Sequence, residues 1–138
     1  EIQAAVLDVK LKYLAEDNAK RKAIAHFYYD HIDNPLVSLP VLLPDEQNAY
    51  HLFPIIVSDK DNRDRLHDYL GQHGVGTVCH YPIAPHQQEC YIKESWNTPQ
   101  LSLPITERLA DTELSLPIGP SITFLEVSQV VELVNKFK

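Results

Sequence analysis

Gly76-Thr77-Val78-Cys79-His80-Tyr81-Pro82-Ile83-Ala84-Pro85-His86-Gln87-Gln88-Glu89-Cys90-Tyr91 is the stretch around which the chain is organised. The β-branched pair Thr77-Val78 predicts a strand over 76–81 that carries His80 and Tyr81 to its end. Pro82 and Pro85 then stop any regular ladder or helix. The residues after Pro85 are dense in polar and aromatic groups: His86, Gln87, Gln88, Glu89 and Tyr91. A strand that ends in a stiff loop of imidazoles, phenols and amides suits the edge of a binding site. The competing reading is a proline-stiffened crossover with solvated polar tips. Local chemistry leaves both standing.

The rest of the chain narrows the classes. Its 138 residues are 44% hydrophobic and 22% charged, which suits one domain with a real core and little disorder. The net charge of −7 opposes a nucleic-acid surface, which needs clustered Lys and Arg. Lys20-Arg21-Lys22 falls within a helical pattern and reads as a solvated helix face. No apolar run approaches the ~20 residues that span a bilayer, and no signal-peptide pattern opens the chain. Cys79 and Cys90 form no CxxC and read as reduced thiols of a cytoplasmic protein. The chain contains no methionine and starts at Glu1. The reading is a part excised or processed from a longer protein.

Residues 1 to about 32 predict one long helix. Its second half is amphipathic, with Ile24, Phe27, Tyr28 and Ile32 at helical spacing. Its first half is apolar on nearly every side: Ile2, Ala4, Ala5, Val6, Leu7, Val9, Leu11 and Leu14. Such a helix is expected to pack against further chain or a second subunit. Asn34-Pro35 ends it. Leu36 to Pro44 predicts an edge strand or extended segment, demoted by Pro40 and Pro44. Asp45 to Asn48 is a turn. Tyr50 to Val57 is a strong strand, with Pro54 at an edge or bulge. Ser58 to Asn62 is a polar turn, and Arg63 to Gln72 a helix with Leu66, Tyr69 and Leu70 inward and Gly74 as its stop.

After the 76–81 strand, a long loop runs through Trp96, Asn97 and Pro99 to Pro104, with Cys90 to Glu94 a candidate short helix. Thr106 to Thr112 is a helix and Leu114 to Ile118 a short strand broken by Pro117. Thr123 and Glu126 form a capping box before a last helix striped by Val127, Val130, Val131, Val134 and Phe137. The predicted class is α+β: a long N-terminal helix and a small, mostly antiparallel sheet with helices on one face. Residues 1–138 form a single domain, with 1–33 a linking helix and 36–138 the α+β body.

Complete catalytic machinery is not evident in these residues. His80, His86 and Cys90 have H-x5-H-x3-C spacing, which matches no common zinc pattern. Cys79 and His80 are strand neighbours and point to opposite faces, so they cannot act as nucleophile and base. Cys90 and His86 are four apart and could pair if helical, although a solvated or packed thiol is the simpler reading. The four glycines form no phosphate-binding loop. His26, His31, His67 and His73 read as structural or solvated. His51 is the partial exception, opening a strand that could lie beside the His80 loop.

The ordered set of motifs resembles a family. Glu1-Ile2-Gln3-Ala4-Ala5-Val6-Leu7 with Lys10-Leu11-Lys12-Tyr13-Leu14 resembles the helix that opens the C-terminal part of the DegT/DnrJ/EryC1/StrS sugar aminotransferases. Tyr50-His51-Leu52-Phe53, Gly74-Val75-Gly76-Thr77 and His80-Tyr81-Pro82-Ile83 resemble successive segments of their small domain. Pro85-His86-Gln87-Gln88 to Tyr91 extends the match in the manner of members that aminate dTDP-linked 3-keto sugars. Thr106-Glu107-Arg108-Leu109-Ala110 and Leu114-Ser115-Leu116-Pro117-Ile118 complete it.

The resemblance implies the C-terminal domain of a fold type I aminotransferase. It also implies pyridoxal phosphate in the full-length enzyme, a homodimer, a nucleotide-linked keto sugar and an amino-acid donor, usually glutamate. The Schiff-base lysine and the other cofactor-binding groups belong to the N-terminal domain, so no catalytic, cofactor-binding or metal residue is expected in this chain. Lys93, near the key loop, does not match the lysine position. His80, Tyr81, His86 and Gln87 are the candidate substrate-binding residues. The imidazoles would bond sugar hydroxyls or phosphate oxygens, Tyr81 would stack or donate, and Gln87 would read a hydroxyl. The alternative is a non-catalytic binding or dimerisation module derived from that domain.

Overall fold

The computed structural model describes residues 1–44, 47–92 and 101–138. The first half of the predicted Asp45 to Asn48 turn, the end of the candidate Cys90–Glu94 helix, and Lys93, Trp96, Asn97 and Pro99 lie outside the described residues. The order is α1 (Ile2–Leu11), α2 (Leu14–His31), β1 (Val37–Ser38), β2 (Phe53–Val57), α3 (Lys60–Gln72), a 3-10 turn (Pro85–Gln87), α4 (Glu89–Ile92), α5 (Pro104–Thr112), β3 (Glu113–Leu116) and α6 (Phe124–Lys136). The strands pair antiparallel in the order β1-β2-β3. This is the α+β arrangement that the patterning predicts.

Strand alternation splits the sheet into two faces. Phe53, Ile55 and Val57 of β2 and Leu114 and Leu116 of β3 turn to one side and are buried. Ile24 and Tyr28 of α2, Leu66 and Leu70 of α3, and the α6 stripe of Val127, Val130, Val131 and Val134 join them in one core. Tyr28 sends its hydroxyl to the Pro117 carbonyl at 2.7 Å. Burial pushes that phenol's pKa well above its ordinary value. The other face carries Pro54, Ile56, Glu113 and Ser115, which are cross-strand partners of one another.

Local signals account for most boundaries. Thr123 and Glu126 exchange both bonds of the capping box, as the sequence predicts. Asp59 caps α3 by accepting the Asn62 N–H at 2.8 Å, so this helix starts earlier than its apolar stripe suggests. Gly74 takes φ +78° after α3, a left-handed geometry that glycine adopts without penalty. Asn34 follows α2, whose C-cap is Ile32, and is buried. Its amide donates to the Val134 and Phe137 carbonyls at 2.7 and 2.9 Å, and its oxygen accepts the Leu36 N–H at 2.8 Å. One side chain thus joins the end of α2 to the end of α6.

Three sequence expectations are corrected. The long helix is interrupted at Lys12-Tyr13, where the Tyr13 N–H closes on the Lys10 carbonyl and a new helix starts. None of the residues of α1 is buried, so no packing enforces continuity across that joint. The Tyr50 strand begins only at Phe53, because Tyr50 holds φ +49° with its N–H bonded to Asn48 Oδ1 at 2.8 Å. The strand over 76–81 is reduced to one bridge, Val78 with Ser115. The next hydrogen-bonded pair in that register would be His80 with Glu113. There the His80 N–H goes to the Glu113 carboxylate, and the Glu113 carbonyl accepts from Arg63. Side chains occupy the groups that a ladder needs.

Asn34→Ala removes a buried donor from the Val134 and Phe137 carbonyls and the acceptor of the Leu36 N–H, and should cost about 2–4 kcal/mol of unfolding free energy. Thr123→Ala removes an exposed cap and should cost about 1 kcal/mol. Urea denaturation of the two variants checks the order, and equal losses would contradict the buried role of Asn34.

Candidate functional site

The second face of the sheet, the 80–88 loop and one side of α5 enclose a cavity of about 460 Å³. That volume is typical of small-ligand sites. Its walls are mostly apolar: Leu52, Pro54 and Ile56 from around β2, Ile83, Ala84 and Pro85 from the loop, and Leu109 and Ala110 from α5. The polar groups at its edge are His80, Tyr81, Gln88, Thr106 and Glu113. A second cavity of about 410 Å³ shares Tyr81, Ile83 and Gln88 and extends toward Glu89 and Cys90. Tyr81 is 74% exposed and borders both.

His80 is anchored by β3. Its backbone N–H donates to Glu113 Oε2 at 2.5 Å, and its ring Nδ1 lies 3.0 Å from Ser115 Oγ. The Ser115 hydroxyl donates to Glu113 Oε1 at 2.6 Å. Glu113 and Ser115 are 7% and 5% exposed, so this polar cluster lies inside the protein. Buried polar groups of this kind persist only when mutually bonded.

Arg63 of α3 reaches the segment leading to His80. Its Nη1 donates to the Ala110 and Glu113 carbonyls, each at 3.3 Å, and lies 3.2 Å from Cys79 Sγ. Its Nε pairs with Asp64 at 2.6 Å. Burial raises the pKa of the Cys79 thiol, and the nearby guanidinium only partly offsets this. Cys79 is therefore a packing group and not an activated nucleophile.

His86 is placed differently. Its side chain is only 9% exposed and its Nε2 lies 3.0 Å from Glu107 Oε1. The same carboxylate oxygen accepts the Leu103 N–H at 2.7 Å. That backbone bond first, and His86 second, hold Glu107 below the usual carboxylate range. His86 thus clamps the loop to the start of α5 and does not line the cavity. Gln87 is exposed and outside it too. Of the four sequence candidates, the structure brings His80 and Tyr81 together at the cavity and leaves His86 and Gln87 outside its lining. His51 is exposed and does not border it. Gln88, Glu113 and Ser115 were missed by sequence reasoning. The available signal for the last two was the alternation Glu113-Leu114-Ser115-Leu116, which places two polar groups on the face opposite the core.

Among the described residues, no group of three His, Cys, Asp or Glu side chains is arranged to hold a metal ion. None of their helices is long and apolar enough to cross a membrane. Among the described residues that line the cavity there is no lysine.

Comparison with known proteins places this architecture within a class of longer aminotransferases. Residues 1–135 match the DegT/DnrJ/EryC1/StrS aminotransferase family. A dTDP-3-amino-3,6-dideoxy-alpha-D-galactopyranose transaminase of Aneurinibacillus thermoaerophilus is 41% identical over 99% of this chain and 36% of its own length. The crystal structure of S. venezuelae DesV in complex with a ketimine intermediate has a TM-score of 0.87 at 36% identity, over 97% of this chain and 35% of that one. That of NtdA from Bacillus subtilis with bound cofactor PMP has a TM-score of 0.75 at 32% identity, over 89% of this chain and 28% of that one. The chain belongs to the DegT/DnrJ/EryC1/StrS aminotransferase family. It spans about a third of the length of these relatives.

The burial difference between the two thiols has a direct readout. Cys90 is exposed and Cys79 half-buried beside Arg63. A maleimide should label Cys90 first and Cys79 only slowly until the protein is unfolded. Equal rates would contradict the placement of Cys79.

Proposed function

We propose that this chain is the C-terminal, substrate-closing part of a pyridoxal-phosphate-dependent aminotransferase that works as a cytoplasmic homodimer. The enzyme moves an amino group from an amino acid, glutamate in the usual case, to a nucleotide-linked keto sugar. A dTDP-linked 3-keto-6-deoxyhexose is the preferred substrate of this reading. Its support is one observation above the others: the cavity presents His80 and Tyr81 at the edge of an apolar hollow, in a chain with 41% identity to a transaminase named for a dTDP-linked 3-amino sugar.

The chain's own residues bind and orient, and the Schiff-base lysine and cofactor contacts lie in the remainder of the enzyme. His80 bonds the sugar and Tyr81 covers it with its ring or hydroxyl. The apolar wall of Leu52, Pro54, Ile56 and Leu109 keeps water from the sugar's less polar side. His86 contributes indirectly, by holding the loop through Glu107, and Gln87, which does not line the cavity, is given no contact with the sugar. The acidic balance of the chain leaves pyrophosphate neutralisation to cationic groups elsewhere.

The test uses the intact enzyme that contains this chain, with a dTDP-linked keto sugar and glutamate. Amine transfer is the expected result. His80→Ala should raise KM for the sugar nucleotide about tenfold, the scale of one lost substrate hydrogen bond, and leave KM for glutamate nearly unchanged. Wild-type KM values for both would remove His80 from the substrate site. Absence of transfer with every sugar nucleotide would favour a non-catalytic module instead.

A further inference from the structure

We propose that Glu113 and Ser115 are positioning residues that fix the tautomer of His80 and thereby select a hydroxyl of the sugar, and not a phosphate oxygen, as its ligand. This rests on the reading that His80 touches the sugar nucleotide.

Proton positions in the cluster decide the tautomer. Ser115 has one hydroxyl proton, and the nearest acceptor is Glu113 Oε1 at 2.6 Å. A carboxylate only accepts, so that proton points to Glu113. Ser115 Oγ is then left to accept, and the His80 Nδ1 that lies 3.0 Å from it must carry a hydrogen. The other carboxylate oxygen takes the His80 backbone N–H at 2.5 Å. One buried carboxylate therefore fixes the main chain directly and the ring through Ser115. This is the logic by which an outer partner orients a ligand-binding imidazole.

With Nδ1 occupied, Nε2 is the ring nitrogen left for a ligand, and it has no partner among the described residues. His80 itself lines the cavity. In the neutral ring Nε2 bears a lone pair and can only accept. A sugar hydroxyl donates to such a group. An ionised phosphate oxygen also only accepts, so the two would repel. The cluster is not a hydrolytic triad. Ser115 is buried, its proton is directed to the carboxylate, and its imidazole neighbour is a donor to it and not its base.

The distinguishing variant is Glu113→Gln, which keeps the shape. Its carbonyl would still accept the His80 N–H, and its NH2 would face Ser115 Oγ. The Ser115 proton would then turn to His80 Nδ1, and the ring proton would move to Nε2. The experiment is 15N NMR of the intact enzyme labelled in histidine, with His80 assigned by His80→Gln, at a pH where imidazoles are neutral. The expected result is an Nδ1–H ring in the wild type, an Nε2–H ring in Glu113→Gln and a mixture in Ser115→Ala. Both variants should raise KM for the sugar nucleotide roughly three- to tenfold, with kcat within about twofold. The inhibition constant of dTDP alone, which has no sugar hydroxyl at that site, should not change.

An Nε2–H ring in the wild type would overturn the inference and leave His80 as a substrate contact. A parallel loss of dTDP affinity would also overturn it, because the contact would then be to phosphate. If the tautomers are as stated but His80→Gln leaves KM for the sugar nucleotide unaltered, the substrate-contact reading fails and the inference fails with it.

Discussion

A guanidinium that is 3% exposed ties the body of this protein to its site. Arg63 lies on α3, whose Leu66 and Leu70 are in the core. Its charge is matched by Asp64 and by two carbonyls at the junction of α5 and β3. Burying an arginine is tolerable only where its charge and N–H groups find acceptors, as Nε and Nη1 do here. The arrangement fixes where α5 stops and where β3 begins. It also occupies the carbonyl of Glu113, which would otherwise extend the pairing to His80. The 80–88 loop leaves the sheet at that point.

The two sheet faces then divide the work. One is a dry core of aliphatic and aromatic groups that sets stability. The other carries a short polar cluster and an apolar hollow, and forms the floor of the candidate site. The same four-residue strand serves both, because Leu114 and Leu116 alternate with Glu113 and Ser115. A substitution in β3 that shifted its register by one residue would exchange the two faces and disrupt the core and the candidate site together.

Much of the body was legible in the sequence because it rests on short-range periodicity. The α6 stripe, the Thr123–Glu126 box, the inward Leu66 and Leu70 and the stop at Gly74 all follow from spacing within one element. The family resemblance was legible from the order of its motifs. The site was legible only in part. His80 and Tyr81 stood out by their chemistry, but their support comes from Glu113 and Ser115, 33 and 35 residues further along the chain from His80. No local pattern reports a bond of that span. The excess of strand predicted over 76–81 has the same origin: β propensity was present, and distant side chains took the partners. His86 and Gln87 share the loop's composition with His80, and composition does not show which way a side chain turns.

Pro54 and Pro40 have a consequence for how the sheet meets other molecules. Ser115 exchanges both backbone bonds with Val78, so Pro54, opposite Ser115, directs its backbone toward the β1 side. Continuing the register of β1 and β2 would set Pro40 against Pro54. Neither can donate, so β1 halts after two residues. A foreign strand approaching this border finds no N–H at Pro40 or Pro54, and the sheet resists being zipped to a neighbour where it is thinnest.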